Sequence, residues 1–148
     1  MFGNTLTEIM ELQKDIFPDK KLPWIQLTLS EQILEMQGKQ TEGIFRVPAD
    51  VDEVTCLKAY VDKWEFPENK GSMGKFVRML LRKSLETNLN FAFIDAHAPA
   101  SLLKLWYREL YDPLIPDGLY DECVATDDPK EVALIIEKLP AINKLVRS

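Results

Sequence analysis

Apolar residues recur at intervals of three and four along most of the chain, which is the spacing of an α-helix with one buried face. The pattern predicts helices that start at Ser30, Asp50 and Asp128, and a further helix with Pro99 in its first turn. A shorter helix is expected at 117–123, and 141–146 has the pattern of the first turns of one more. No segment alternates apolar and polar residues between turn signals, so the sequence predicts an all-α fold.

Local signals define the ends of the first predicted helix. Ser30 is a favourable N-cap, and Leu29 and Leu34 have the spacing of a hydrophobic staple. Gly38 then supplies the usual C-terminal stop. Residues 1–28 are expected to form an extended, partly helical lead-in.

The later helices have equally clear start signals and apolar stripes. Asp50 and Glu53 form a capping-box pattern, and Asp128 is followed by a proline at the first helical position. Pro67 is expected to end the helix that starts at Asp50. The predicted buried stripes are Val51, Val54, Leu57, Val61 and Trp64, then Leu102, Leu103, Trp106 and Leu110, and finally Val132, Ile135, Ile136 and Leu139.

The composition limits the class of protein. With 148 residues, of which 46% are hydrophobic and 28% charged, the chain suits one compact domain and not wholesale disorder. No run of about 18 uncharged apolar residues is present, and the N-terminal residues lack the features of a signal peptide. These observations favour a cytoplasmic protein. A net charge of −6 argues against general nucleic-acid binding, which needs a basic surface.

Few residues suit covalent or metal chemistry. Cys56 and Cys123 lie singly in apolar-periodic segments, so we expect buried thiols in a reducing compartment. His97 is the only histidine, which excludes zinc sites built from several histidines. No serine or cysteine stands beside it in a strained turn. We therefore expect no metal, no cofactor and no autonomous hydrolase.

The cation with the most distinctive setting is Arg46, in the loop Thr41-Glu42-Gly43-Ile44-Phe45-Arg46-Val47-Pro48. The glycine and proline indicate a turn, and burial of Phe45 and Val47 is expected to aim Arg46 outward. A guanidinium stays charged and donates in a planar fork, so it is well suited to bridging phosphate oxygens. On the residues alone, an ion pair with Glu42 is the more common explanation.

Two further cations, Lys104 and Arg108, share one face of a predicted helix because they are four residues apart. Like charges at this spacing cost about 0.2–0.5 kcal/mol unless an anion lies nearby. Asp112, one turn beyond Arg108, is one candidate for that anion, and the acidic surface of a partner is the other. The pair alone does not distinguish these alternatives.

The segment 69–94 differs from the rest of the chain in charge, with five basic residues and one acidic residue. Its apolar residues form a helical stripe with the cations mostly opposite, the pattern of a basic amphipathic helix. Three interpretations remain open: a helix docked on its own domain, a contact with anionic membrane or calmodulin through 73–86, and a loop insertion without a role.

Two motifs together resemble the Rho GTPase-activating protein (RhoGAP) domain. The first is the Arg46 loop followed by a helix. The second is Pro99-Ala100-Ser101-Leu102-Leu103-Lys104-Leu105-Trp106-Tyr107-Arg108-Glu109-Leu110, followed by Asp112-Pro113-Leu114-Ile115-Pro116. The sequences of two segments are most similar to those of the Vilse (CrossGAP) group: Leu22-Pro23-Trp24-Ile25-Gln26 and residues 102–110.

The resemblance implies a helical bundle that activates a GTP-bound Rho-family GTPase (Rho, Rac or Cdc42) and is not itself an enzyme. Arg46 matches the catalytic arginine finger, a cation inserted in trans that stabilises charge on the γ-phosphoryl oxygens. Lys104 and Arg108 match basic residues that support the finger loop and contact the GTPase. The loop positions that place the finger are matched by Gly43, Phe45 and Pro48.

The same resemblance implies that residues 68–94 are an insertion and that the domain is incomplete at its C-terminus. In the family, further helices follow the counterpart of Val146 and complete the bundle core. We therefore expect a partial RhoGAP-like domain over 1–148, with exposed apolar faces and reduced stability. A non-catalytic GTPase-binding or interaction module is the alternative function.

Overall fold

The computed structural model describes residues 1–62 and 95–147, and all regular structure in those ranges is helical. The all-α prediction is therefore confirmed for them. The basic helix and insertion predicted within 68–94, the stripe residue Trp64 and the helix end at Pro67 lie outside the described residues. The elements are α1 (Leu6–Gln13), α2 (Trp24–Glu35), a 3-10 turn (Gly38–Gln40), α3 (Val51–Asp62), α4 (His97–Arg108), α5 (Asp117–Val124), α6 (Pro129–Ile136) and α7 (Ala141–Arg147).

The lead-in contains α1, which begins with a complete capping box. The Thr5 hydroxyl accepts from the Glu8 N–H at 3.1 Å, and the Glu8 carboxylate accepts from the Thr5 N–H at 2.8 Å. The bond from the Thr5 amide, together with one from its hydroxyl, lowers the pKa of Glu8 below its usual 4.5. The Thr-x-x-Glu spacing is the sequence signature of this box, so the start of α1 was predictable.

The predicted start of α2 at Ser30 is wrong, because the helix begins at Trp24. The side chain of Gln13, buried at the end of α1, provides the reason. Its Oε1 accepts from the Trp24 N–H at 2.7 Å, and its Nε2 donates to the Leu22 carbonyl at 2.9 Å. A side chain distant in sequence thus satisfies an amide at the helix start, where local signals were expected to act. The predicted staple is absent as well, since Leu34 is 52% exposed.

The predicted role of Gly38 as the helix stop is also wrong. Helix α2 ends at Glu35, and the residue with a positive φ is Gln37 at 59°. Gly38 is buried at the start of the 3-10 turn. A Cβ at this position would lie 2.4 Å from Ile33 Cγ2 and 2.7 Å from the Ile33 carbonyl oxygen. Close approach of the backbone, and not a left-handed conformation, therefore requires this glycine.

The predicted caps of α3 and α6 are confirmed. Asp50 Oδ1 accepts from the N–H groups of Asp52 at 2.9 Å and Glu53 at 3.2 Å. Asp128 Oδ1 accepts from the Lys130 N–H at 2.9 Å. Each carboxylate satisfies amides that have no partner within their own helix.

The predicted stripes are only partly buried. Val51, at the start of α3, is 76% exposed, so its assignment to the core is wrong. Helix α4 starts at His97, so Pro99 lies in its first turn as predicted, and Asp95 Oδ1 accepts from the His97 N–H at 2.8 Å. The stripe residues that are buried are Leu57, Val61, Leu102, Leu103, Trp106, Leu110, Ile135 and Leu139.

The chain divides into two compact units. Among the described residues, the first comprises Met1, 25–62 and 95–106, and it contains the 41–48 loop and most of α4. The second comprises 2–24 and 107–147, where α1 packs against α7 and α5 packs against α6. The buried apolar side chains of the first unit include Ile25, Leu29, Ile33, Leu57, Val61, Leu102 and Trp106. Those of the second include Leu6, Ile9, Trp24, Leu110, Ile135, Leu139 and Val146.

Two expectations about the class of protein can be compared with the helices. The side chains of Cys56 and Cys123 are only half-buried, so the expectation of buried thiols is wrong. Exposed apolar side chains occur on α5 and α6, among them Val124 (66%) and Leu134 (68%). No helix in the described ranges has the length and apolar character needed to cross a bilayer.

Candidate functional site

The loop at 41–48 contains a tight turn built on Gly43. Its carbonyl accepts from the Arg46 N–H at 2.7 Å and from the Val47 N–H at 2.8 Å. Gly43 has a φ of +66°, a left-handed conformation that glycine adopts without strain. The bonds fold the chain back on itself and leave Arg46 exposed at the end of the turn.

The expectation that Phe45 and Val47 are buried is wrong, since their side chains are 51% and 40% exposed. Backbone geometry, and not apolar anchoring, therefore sets the position of Arg46. The guanidinium lies over the backbone of Gly43: a Cβ built there would be 3.3 Å from Arg46 Nη2. It would also be 3.0 Å from Val47 Cγ2, so a side chain at this position would disturb the turn.

Two side chains of α4 hold the backbone on either side of Arg46. Lys104 Nζ donates to the Phe45 carbonyl at 2.6 Å. Ser101 Oγ accepts from the Ala49 N–H at 3.2 Å. Ser101 was not among the predicted site residues, although it stands three residues before Lys104 and therefore on the same helix face. The structure thus brings Lys104 to the predicted loop and adds Ser101 to it.

The Arg46 guanidinium has no ion pair within 1–62 and 95–147. The alternative explanation, an ion pair with Glu42, therefore finds no support among these residues. A guanidinium without an internal carboxylate partner retains its donors for an external anion.

Arg108 is exposed in the last turn of α4. In the part of the chain that the structure describes, its side chain has no ion pair with Asp112 or with any other carboxylate. The intrachain explanation for the Lys104–Arg108 pair therefore lacks support there. One of the two cations is bound to a carbonyl, and the other faces solvent.

An apolar groove of about 260 Å³ lies beside the turn. The turn contributes Ile44 and Phe45 to it, and α4 contributes Leu103. The remaining lining residues come from α2 and the 3-10 turn: Ser30, Ile33, Leu34, Gly38 and Lys39. The exposed cation Arg46 thus stands next to a concave apolar surface.

Electrostatic perturbation is found outside the turn. Burial raises the pKa of Tyr107, and burial followed by the nearby charges of Asp50 and Asp95 raises the pKa of Glu53. In the described ranges, no cluster of three or more His, Cys, Asp or Glu residues could hold a metal ion. What the turn offers chemically is a cation on a constrained backbone.

Comparison with known proteins identifies the family. The model of the RhoGAP domain family matches residues 23–148. GTPase activating protein homolog 2 of Dictyostelium discoideum is 34% identical over 146 residues, which are 98% of this chain and 14% of that protein. Human Rho GTPase-activating protein 24 is 26% identical over an alignment of 152 positions, which covers 97% of this chain and 17% of that protein.

The fold has a counterpart among solved structures. The crystal structure of human Rho GTPase activating protein 15 aligns with a TM-score of 0.65 and 20% identity. The alignment covers 98% of this chain and 60% of that one. Since the family model matches residues 23–148, which are most of the sequence, this chain belongs to the RhoGAP domain family.

Proposed function

We propose that this chain activates GTP hydrolysis by a Rho-family GTPase and that Arg46 is the arginine finger. The chain is not an enzyme by itself in this proposal, because it contributes a catalytic side chain to the nucleotide site of its partner. The names of the relatives, which include Rho GTPase-activating proteins of Dictyostelium and human, support the partner class. We further propose that it acts in the cytoplasm and is related to the Vilse (CrossGAP) group.

One observation carries the proposal: Arg46 is exposed, unpaired among the described residues, and fixed on a turn. As the γ-phosphoryl group leaves, negative charge spreads over its oxygens, and an inserted guanidinium stabilises that charge. A donor that is already positioned does not have to be reorganised during the reaction. The Gly43 turn fixes the backbone from which the guanidinium extends, because the Gly43 carbonyl accepts from the Arg46 backbone N–H at 2.7 Å.

The remaining site residues have supporting roles in this proposal. Lys104 holds the finger loop through the Phe45 carbonyl. Arg108, exposed one helical turn later, contacts acidic groups of the GTPase. Pro48 restricts the backbone that leaves the turn. The preferred state of the partner is the GTP-bound one, because the charge that Arg46 stabilises arises on the γ-phosphoryl group.

GTP hydrolysis by Rho, Rac and Cdc42 with the 148-residue chain, compared with its Arg46→Ala variant, tests the proposal. Fingers of this kind accelerate hydrolysis by about 10³–10⁵-fold, so the variant is expected to lose nearly all stimulation. Arg46→Lys keeps the charge but not the planar fork, and it is expected to recover only a small part. Binding to the GTPase loaded with a non-hydrolysable GTP analogue is measured in parallel and is expected to survive.

Lys20→Ala is the matched control, since it removes an exposed cation outside the 41–48 loop. It is expected to leave stimulation unchanged. Stimulation that persists in Arg46→Ala would show that Arg46 is not the finger. Binding without stimulation by the unaltered chain would instead support a non-catalytic GTPase-binding module.

A further inference from the structure

We infer that Ser101 is a positioning residue for the Arg46 turn, an inference that rests on the proposed function. Ser101 Oγ accepts from the Ala49 N–H at 3.2 Å, and Lys104 Nζ donates to the Phe45 carbonyl at 2.6 Å. The loop is therefore attached to α4 at two points, one before Arg46 and one after it. Lys104 binds the carbonyl oxygen of Phe45, and Ser101 binds the backbone N–H of Ala49.

The backbone after Arg46 offers no earlier amide for this attachment. The Val47 N–H is already bonded to the Gly43 carbonyl at 2.8 Å. Pro48 has no N–H. Ala49 is thus the first residue beyond the turn whose amide is open to a side chain from another element, and Ser101 binds it. Among the described residues, loss of the Ser101 bond would leave the Lys104 bond as the only hydrogen bond between α4 and this loop.

Ser101 is suited to this role because its helix is firmly seated. The neighbouring residues Ala100 and Leu102 are both 0% exposed. Groups carried by a packed helix are located more accurately than groups on a loop. The bond also joins the exit of the turn to the start of α3, since Asp50 is the cap of that helix. The hydroxyl thereby transmits the position of α4 to the backbone of the finger loop.

The expected consequence is a loss of rate without a loss of affinity. A displacement of about 1 Å at a reacting group costs up to about 100-fold in rate, and loss of one of two attachments is expected to lower kcat about tenfold. Ser101 is half-buried beneath the loop backbone, so it contributes little contact area to a partner. The KM for the GTPase is therefore expected to stay within about twofold of the wild-type value.

Three substitutions in the full chain test the inference. Ser101→Ala removes the acceptor, and Ser101→Cys keeps the volume with a much weaker acceptor, so both are expected to lower kcat. Ser101→Thr retains the hydroxyl and is expected to restore kcat to within about threefold of wild type. Thr55→Ala, which removes an exposed hydroxyl from α3, is the control and is expected to be silent.

Hydrogen exchange of the Ala49 amide gives a second measurement that needs no GTPase. Ser101→Ala is expected to speed that exchange about tenfold, and Thr55→Ala is expected not to change it. Circular dichroism establishes that each variant is folded. If Ser101→Ala does not fold, Ser101→Cys replaces it in both measurements.

Each outcome has a distinct meaning. If the unaltered chain stimulates hydrolysis and the alanine and cysteine variants match it, the inference about Ser101 is overturned and the proposed function stands. A raised KM with an unchanged kcat also overturns it, since Ser101 would then act in docking. If the unaltered chain stimulates none of the three GTPases, the proposed function fails and the role of Ser101 fails with it.

Discussion

Replacing Gly43 by alanine tests whether the conformation of the turn, and not only the presence of Arg46, is required for activation. Gly43 has a φ of +66°. An L-residue in that conformation costs about 1–2 kcal/mol. The new Cβ would meet Val47 Cγ2 at 3.0 Å, but Val47 is 40% exposed and its side chain has room to move. Backbone strain is therefore the larger effect.

The free energy of this strain is comparable to the stability contributed by the hydrogen bonds that hold the loop. Each attachment to α4 contributes a net stability of about 1 kcal/mol, so a strain of about 1–2 kcal/mol can be relieved by giving one up. Such a shift lowers the population of the productive turn by about 5–30-fold. We expect kcat for stimulated hydrolysis to fall by that factor. The free energy of unfolding is expected to fall by no more than about 2 kcal/mol.

Single-turnover hydrolysis at saturating chain and urea unfolding measure the two effects separately. Gly3→Ala is the first control, because Gly3 has a φ of +72° with nothing within 4 Å and lies outside the 41–48 loop. It is expected to lower stability by a similar amount and to leave kcat unchanged. Gly118→Ala, in helix α5 with open space around it, is expected to be neutral or slightly stabilising. Gly43→Asn is expected to recover part of the rate, since Asn tolerates this conformation.

Two results would refute the reasoning. If Gly43→Ala loses stability as Gly3→Ala does but keeps its full kcat, the left-handed turn does not position Arg46. If Gly43→Ala changes neither quantity, the conformation at Gly43 carries no strain for alanine and the argument from φ fails.

Two predictions concern stability alone. Gln13→Leu leaves the Trp24 amide and the Leu22 carbonyl without their buried partner, so the free energy of unfolding is expected to fall by about 2–5 kcal/mol in urea titration. A loss below about 0.5 kcal/mol would contradict it. Glu8→Gln removes a carboxylate whose pKa is lowered by Thr5. The Tm of the variant is therefore expected to lie below that of the wild type at pH 7, and this difference is expected to disappear as the pH falls below 4.5 and through the folded-state pKa of Glu8. A deficit unchanged in acid would contradict it.

Signals that act within one turn of helix were readable from the sequence. The caps at Asp50 and Asp128 are such signals, because a carboxylate and the amides it accepts from are two or three residues apart. The buried stripe of α4 was also readable, since the period of the helix alone decides which residues share a face. The turn at Gly43 was predictable because glycine is the residue that most readily adopts the left-handed conformation of a tight turn.

Errors arose where a distant residue changed the local balance. The start of α2 depends on Gln13, whose amide satisfies the Trp24 N–H across the chain. The helix therefore runs through Ser30, whose local N-cap signal does not set its start. The stripe position Val51 is 76% exposed, so the apolar period alone did not decide which positions of α3 are buried. Gly38 was expected to stop the helix, but what requires glycine there is the close approach of Ile33.

The sequence by itself determined the helical class, because the spacing of apolar residues carries that information. The resemblance of two motifs to the RhoGAP domain singled out Arg46, Lys104 and Arg108 as candidate site residues. Only the tertiary structure decided how Arg46 is held. Its position follows from a left-handed Gly43 and from two bonds to α4, at Phe45 and Ala49. Those bonds join residues more than fifty positions apart. Spacing along the chain contains no record of such contacts, since they exist only once the helices have packed.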